Sequence, residues 1–364
     1  MPYIKCELPE FPCTSDMWDE LAKEVRPIVV YGMGNGADKL ISRFEKYNIK
    51  IADFFASDGF VRGHTFHGYR VKSFSEIKET YPDFVIVLSF ASNREEVLAM
   101  LSEIDGNYDM YVPDMPVAGE DEYFDCEFYN KHHEEIEKAY NSLADEDSKN
   151  AFSSIISYKL SGRMKFLMSA WSTLDEMYSL LPCEKTERAI DAGAYNGDTA
   201  RQMKMYFPNL KKIMALEPDV KTYKRLLKYC DGENEIEIEP INAAVWCENS
   251  KGSFSSSGNR NSSVNSTSSF ECKEITVPLV RIDSLMDSVD YVKYDVEGAE
   301  AEALIGSEGI IEKCKPALLV SLYHRSRDIF TIINELSEKY PFYKFYLRRL
   351  KCVPAWEINL IAIT

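Results

Sequence analysis

The chain has 364 residues, 45% of them apolar and 28% charged, which excludes wholesale disorder and supplies more than one core. Forty-two basic against fifty-nine acidic side chains leave a net charge of −17. That balance argues against a nucleic-acid backbone or an anionic membrane as partner, because affinity for either comes mainly from Lys and Arg, and favours a small molecule. Length suggests about two domains of roughly 100–200 residues each. No apolar run reaches the roughly 20 residues of a membrane span. Met1 to Glu10 lacks the apolar stretch of a secretory signal. Nine scattered cysteines without a C-x-x-C suggest neither a metal site nor a redox pair, so reduced thiols in a cytoplasmic protein are expected.

The first regular run is Ile28-Val29-Val30-Tyr31, which ends in the turn Gly32 to Gly36 and continues as an amphipathic stretch to Tyr47. Apolar runs at 49–55, 84–88 and 108–112 alternate with helical patterns at 74–80 and 93–104. Such alternation predicts a parallel sheet with right-handed crossovers, so residues 20–115 form a small Rossmann-like domain. Gly32, Gly34 and Gly36 are candidates for a nucleotide diphosphate, with Asp58 at the tip of the second strand for a ribose or base edge. Residues 116–186 read as a helical connector. Asp145 or Asp147 caps a helix through Phe152, Ile155, Ile156, Tyr158 and Leu160, Gly162 interrupts it, and 171–181 resumes the helical period.

Residues 187–364 form the second α/β unit. Apolar runs recur at 189–194, 213–216, 236–245, 277–282, 291–296, 317–323, 342–347 and 358–363. Helical patterns fill 198–206, 219–229, 300–313 and 328–339. The Ser/Asn/Gly-rich stretch 251–269 reads as a long mobile loop over a sheet edge, a lid, with the sequons at Asn261 and Asn265 as polar loop positions.

Four motifs in this unit carry chemistry. Asp191-Ala-Gly193-Ala194-Tyr-Asn196-Gly197 is a strand running through a D-x-G-x-x-x-G turn into a helix, where Gly193 turns the chain and Gly197 lets backbone approach a ligand carboxylate. Glu217-Pro218 ends the next strand, placing an acid where the two hydroxyls of a ribose can be accepted. Asn242-Ala243 lies in the turn after the third run, as a candidate adenine contact. Asp295, Glu297 and Glu300 crowd one strand rim, and Ser321-Leu-Tyr-His324 ends the strand that follows. His324 is the first candidate general base, with Asp295 second. A divalent cation on the carboxylates is the other way to acidify a hydroxyl, but no ligand spacing requires one.

In this order the pieces resemble the FkbM-type S-adenosylmethionine-dependent methyltransferases over roughly 145–364, most specifically in Lys293-Tyr-Asp-Val-Glu-Gly-Ala-Glu300, with Leu322-Tyr323-His324, Asp328 and Tyr346 to Arg349 following. The resemblance implies a class I, Rossmann-like methyltransferase fold whose final antiparallel strand inserts into the sheet. It also implies methyl transfer from S-adenosyl-L-methionine to a hydroxyl of a sugar or other small metabolite. Cofactor positions are then Asp191, Gly193, Ala194, Asn196, Gly197, Glu217, Pro218, Asn242, Ala243 and Asp295, and catalytic positions His324, Asp295 and Glu297. Tyr294 stands where the family usually has a smaller aliphatic residue. The run Tyr31 to Gly36, then Phe55 to Gly59, Gly63 and Gly68 to Val71, resembles the nucleotide-sugar-binding domain ahead of some sugar acyltransferases, so a nucleotide sugar is one acceptor to consider. The alternative is a non-catalytic nucleotide-sugar-binding protein with a degenerate methyltransferase domain. A homo-oligomer is left open.

Overall fold

Short apolar runs build the first sheet, and two of its inner strands, Ile28–Tyr31 and Val85–Leu88, are buried along their whole length, as parallel strands are when helices cover both faces. The computed structural model describes residues 6–61, 63–118, 122–256, 263–264 and 273–364. β1 (Ile28–Tyr31), β2 (Ile51–Ala56), β3 (Lys72–Ser73), β4 (Val85–Leu88) and β5 (Asp109–Tyr111) pair in parallel in the order β3-β2-β1-β4-β5. Helix α1 (Asn35–Lys46) leaves the glycine turn after β1 and buries Ala37, Leu40 and Phe44. A hairpin of two-residue strands, Thr65–Phe66 and Tyr69–Arg70, is too short to leave a pattern in the sequence.

In the connector, α2 (Glu146–Ser161) begins at Asp145, whose carboxylate accepts from the Ser148 N–H, and ends at Gly162 in the left-handed region. Beyond it the helical reading holds only in part. Trp171–Ser172 is an edge strand, β6, and the helix α3 is confined to Leu174–Ser179. Pairing of Trp171 with Arg349 and Ser172 with Leu350 overrides the local period there.

The second sheet adds β7 (Arg188–Ala192), β8 (Lys212–Leu216), β9 (Glu237–Ile241), β10 (Tyr291–Tyr294), β11 (Ala317–Ser321), β12 (Lys344–Leu350) and β13 (Ile358–Ile363). Its order is β9-β8-β7-β10-β11-β13-β12-β6. β13 lies antiparallel between β11 and β12, as the class I methyltransferase fold requires. The segment between β12 and β13 is too short for a parallel crossover, so the chain must return antiparallel. Helices α4 (Asp198–Tyr206), α5 (Val220–Cys230) and α7 (Asp328–Lys339) match their patterns. The expected helix 300–313 breaks after α6 (Glu300–Ile305) at Gly306, where a Cβ would stand 2.1 Å from the Trp246 carbonyl oxygen.

The run 236–245 also splits. Ala244–Val245 joins a separate four-stranded sheet with Ser250–Ser256, Ser263–Val264 and Lys273–Val280. The head of the expected loop is therefore a strand, antiparallel to Lys273–Val280. Most of the expected lid, Asn261 and Asn265 included, lies outside the described residues.

One continuous apolar core runs from Val29, Ile86 and Leu101, through Phe152, Ile155 and Ile156 of α2, to Val292, Leu318 and Leu347. The Ser148 hydroxyl accepts from the Leu347 N–H at 2.8 Å, fastening α2 to β12. Among the described residues no helix is long and apolar enough to cross a membrane. The expectation of reduced thiols throughout is overturned by a disulfide between Cys13 and Cys126. The Asn130 amide brackets the Cys13 backbone and Asp16 accepts from the Cys126 N–H, which sets the two Cα atoms 5.4 Å apart, within bridging range.

Candidate functional site

A cavity of about 320 Å³ opens at the C-terminal ends of β7, β8 and β10, where open α/β sheets bind their ligands. Its floor is the turn after β7. Gly193 has φ +90°, and a Cβ there would stand 1.9 Å from the Asp295 carbonyl oxygen, so only glycine lets the ends of β7 and β10 touch. Gly197 has φ +86°, and a Cβ on it would meet the Tyr229 ring at 2.3 Å, so the turn and the packing against α5 each call for glycine. The Thr199 N–H at the start of α4 is already taken by the Asp198 carboxylate at 2.9 Å. An acid in that place disfavours the carboxylate expected at this helix start and suits a cation.

Asp191 is fully buried, and neither of its carboxylate oxygens has a hydrogen-bond partner among the described residues. The Lys293 ammonium is 3.9 Å away, and burial pushes the Asp191 carboxyl up to about 7. Glu217, at the end of β8, lines the cavity and accepts from the Asp219 N–H at 2.8 Å through one oxygen. Burial pushes it up to about 8, the state of an acid short of donors. A vicinal diol supplies two. The unpartnered Asp191, the Glu217 carboxyl and the apolar wall of Ala243, Ala244 and Val245 fit a nucleoside bearing a cationic amino acid. Asn242 does not line the cavity; its amide donates to the carbonyls of Glu217 (2.8 Å) and Pro218 (3.1 Å) and so sets the acid's loop. Ala194 is core and the Asn196 side-chain oxygen is buried without a partner among the described residues; neither lines the cavity.

The rim is the carboxylate cluster after β10. Asp295 accepts from the Lys293 ammonium and the Tyr323 hydroxyl, each at 3.0 Å. Burial works against its charge, yet Lys293 and His324 hold its carboxyl well below the usual range, which makes it a poor proton acceptor. His324 does not line the cavity and is fully buried. Its Nδ1 is 2.9 Å from Glu300, and its Nε2 is 3.5 Å from Glu297 and 3.6 Å from Asp295. Burial opposes a charge on the ring, but Glu300, then Glu297 and Asp295, push it up to about 10. The expected base thus already carries its proton. Glu297 does line the cavity, and burial pushes its carboxyl up to about 8. Its φ of +55° is a left-handed conformation that costs a non-glycine residue of order 1–3 kcal/mol. Among the described residues no group of three or more His, Cys, Asp or Glu side chains is placed to hold a metal ion.

Two contributors left no motif to find. Tyr178 of α3 lines the cavity from the connector, and Trp356 enters from the β12–β13 loop. That loop is held by Arg349, which is fully buried and donates to the carbonyls of Leu167, Cys352 and Pro354. Of the candidates in the first sheet, Asp58 is exposed and accepts from the backbone and hydroxyl of Ser75. Cβ atoms on Gly32 and Gly36 would meet Ser89, at 2.7 and 2.0 Å, so these two glycines serve packing on β4's end; Gly34 alone faces open space.

Residues 191–345 match the family described as Methyltransferase FkbM domain, and residues 24–108 the family described as C2185-like, N-terminal. The solved FkbM methyltransferase of Methylobacillus flagellatus KT is similar in fold, with a TM-score of 0.69 over 98% of this chain and 94% of that one, at 15% identity. Fibrillarin of Aeropyrum pernix, solved with natively bound S-adenosyl-L-methionine, covers 50% of this chain and 69% of its own at a TM-score of 0.33 and 16% identity. No curated protein matches the sequence. Residues 191–345 match an FkbM-type methyltransferase domain, and the fold over nearly the whole chain is that of a methyltransferase.

Proposed function

We propose that the chain takes S-adenosyl-L-methionine as its cofactor and transfers its methyl group to a hydroxyl of a small sugar-like acceptor, with Glu297 as the proton acceptor. One observation carries the reading: a strained carboxyl on the cavity wall, lifted to about 8, stands where a general base works best, near the operating pH. When bound, the cofactor supplies an electrophilic methyl group on a sulfonium. Glu217 would accept its ribose hydroxyls, Ala243 to Val245 would face its adenine, and Asp198 would face its ammonium. Asp295 stays ionised under Lys293 and Tyr323 and helps to hold Lys293 and His324 in place. His324 is a positioning residue: its charge keeps Glu297 from rising further and fixes Glu300, whose carboxylate accepts from the Val296 N–H at 2.9 Å. Residues 20–115, 116–186 and 187–364 are proposed as the three parts of the chain, the last two both contributing cavity wall. Incubation with a panel of monosaccharides and glycosides, read as S-adenosylhomocysteine release, tests the reading. Methylation only at nitrogen or carbon would overturn it.

A further inference from the structure

A second cavity, of about 190 Å³, lies at the C-terminal ends of β1 and β4, against the start of α1. Val117 and Trp356 line both cavities. The larger one reaches across to Asn93 of the first α/β unit, and the smaller one reaches back to Pro354 of the β12–β13 loop. Trp356 thus stands as a common wall, and its indole N–H is buried without a hydrogen-bond partner among the described residues. The two chambers differ in chemistry. The larger is ringed by acids, whereas the smaller is faced by Met33, Leu40, Phe90, Met115 and Pro354. Lys39 is its one charged lining residue among those described, and the ammonium already donates to the Pro116 carbonyl at 2.8 Å. No cluster of cations awaits a diphosphate there, so the glycine turn does not make this a phosphate site.

We propose that the smaller cavity is the recognition pocket for the acceptor's apolar part. The acceptor is then an amphipathic small molecule: a hydroxylated end in front of Glu297 and a flat aromatic or apolar group beyond Trp356, whose N–H donates to an oxygen at the junction. Each cavity by itself sits near or below the lower end of small-molecule sites, roughly 300 Å³, and the two in line accommodate cofactor and acceptor together. The proposal rests on the reading that a hydroxyl meets Glu297.

The test uses p-nitrophenyl β-D-glucopyranoside, a hydroxylated ring joined to a flat aromatic one, titrated into the full chain while tryptophan fluorescence is followed. Saturable quenching is expected in the wild type, and Trp356→Phe removes most of it. Ala91→Phe, which fills the smaller cavity, and Asn35→Phe, an exposed position at its edge, each raise the dissociation constant at least tenfold. Methyl β-D-glucopyranoside, which lacks the aromatic group, binds at least tenfold more weakly to the wild type and equally to all variants. Absence of quenching, or equal affinity of the nitrophenyl glycoside for wild type and both filled variants, overturns the pocket. Calorimetry with S-adenosylmethionine separates the two readings: the filled variants keep their cofactor affinity within twofold. A wild type that fails to bind cofactor would sink the methyl-transfer reading without touching the glycoside result.

Discussion

Replacing Glu297 by glutamine keeps the shape of the side chain and removes its capacity to take a proton. With the carboxyl at about 8, roughly a tenth of the molecules hold it ionised at pH 7 and roughly nine-tenths at pH 9. Wild-type turnover at saturating cofactor should therefore rise about tenfold between those pH values and level off above them. A positioned base contributes roughly 10²–10⁴-fold, so Glu297→Gln loses that factor at pH 9 but about tenfold less at pH 7. The assay is S-adenosylhomocysteine release with p-nitrophenyl β-D-glucopyranoside as acceptor from pH 6 to 10, with cofactor affinity measured by calorimetry at each pH. The variant should bind cofactor as the wild type does and show a flat profile. A wild type that is itself flat over this range, or a Glu297→Gln enzyme that keeps the rise, would refute the assignment.

Three more outcomes are expected. Glu217→Ala should abolish measurable S-adenosylmethionine binding while the melting temperature stays close to wild type; unchanged affinity would remove the ribose from Glu217. His324→Ala strips the cation from the buried Glu300 and the half-buried Asp295 and Glu297 and should destabilise the fold by about 3–5 kcal/mol in denaturant titration, with a minor loss disproving the network. The folded His324 sits at about 10, above its ordinary 6.5, so its contribution is complete below pH 6.5 and is lost as pH rises toward 10. Melting temperature should fall over that window more steeply in the wild type than in His324→Ala. Cutting the Cys13–Cys126 bridge by Cys13→Ser opens a 113-residue loop and should cost about 4–5 kcal/mol by chain entropy; equal melting temperatures with and without reductant would show that the thiols are not joined.

Most of the fold was legible because it rests on uninterrupted apolar runs and on glycines in fixed places. β7, β8 and β11 are buried nearly end to end, and their runs declare themselves. What the sequence hid depended on distant partners. Trp171–Ser172 looks helical until Arg349 and Leu350 pair with it, and glycine at the 306 break answers to the distant carbonyl of Trp246. The acids of the site could be named from their strand ends, but their roles could not be ranked. His324 and Glu297 differ as bases because three carboxylates surround one and burial alone governs most of the other, and neither condition is local in the chain. Trp356 left no signal because its place depends on the Arg349 clamp folded back from β12.

The core that passes without a gap through α2 has a mechanical consequence. Side chains of the first sheet, of α2 and of the second sheet belong to one apolar cluster, so swinging the two sheets apart would expose part of that surface to water. A hinged, jaw-like opening therefore costs exposed apolar surface, and rotation of wall side chains such as Trp356 is the cheaper way in and out. The same continuity ties melting together: calorimetry should show one cooperative transition, and a segment cut to 191–345 would lack both α2 and β13 and find no partner for β11's open side.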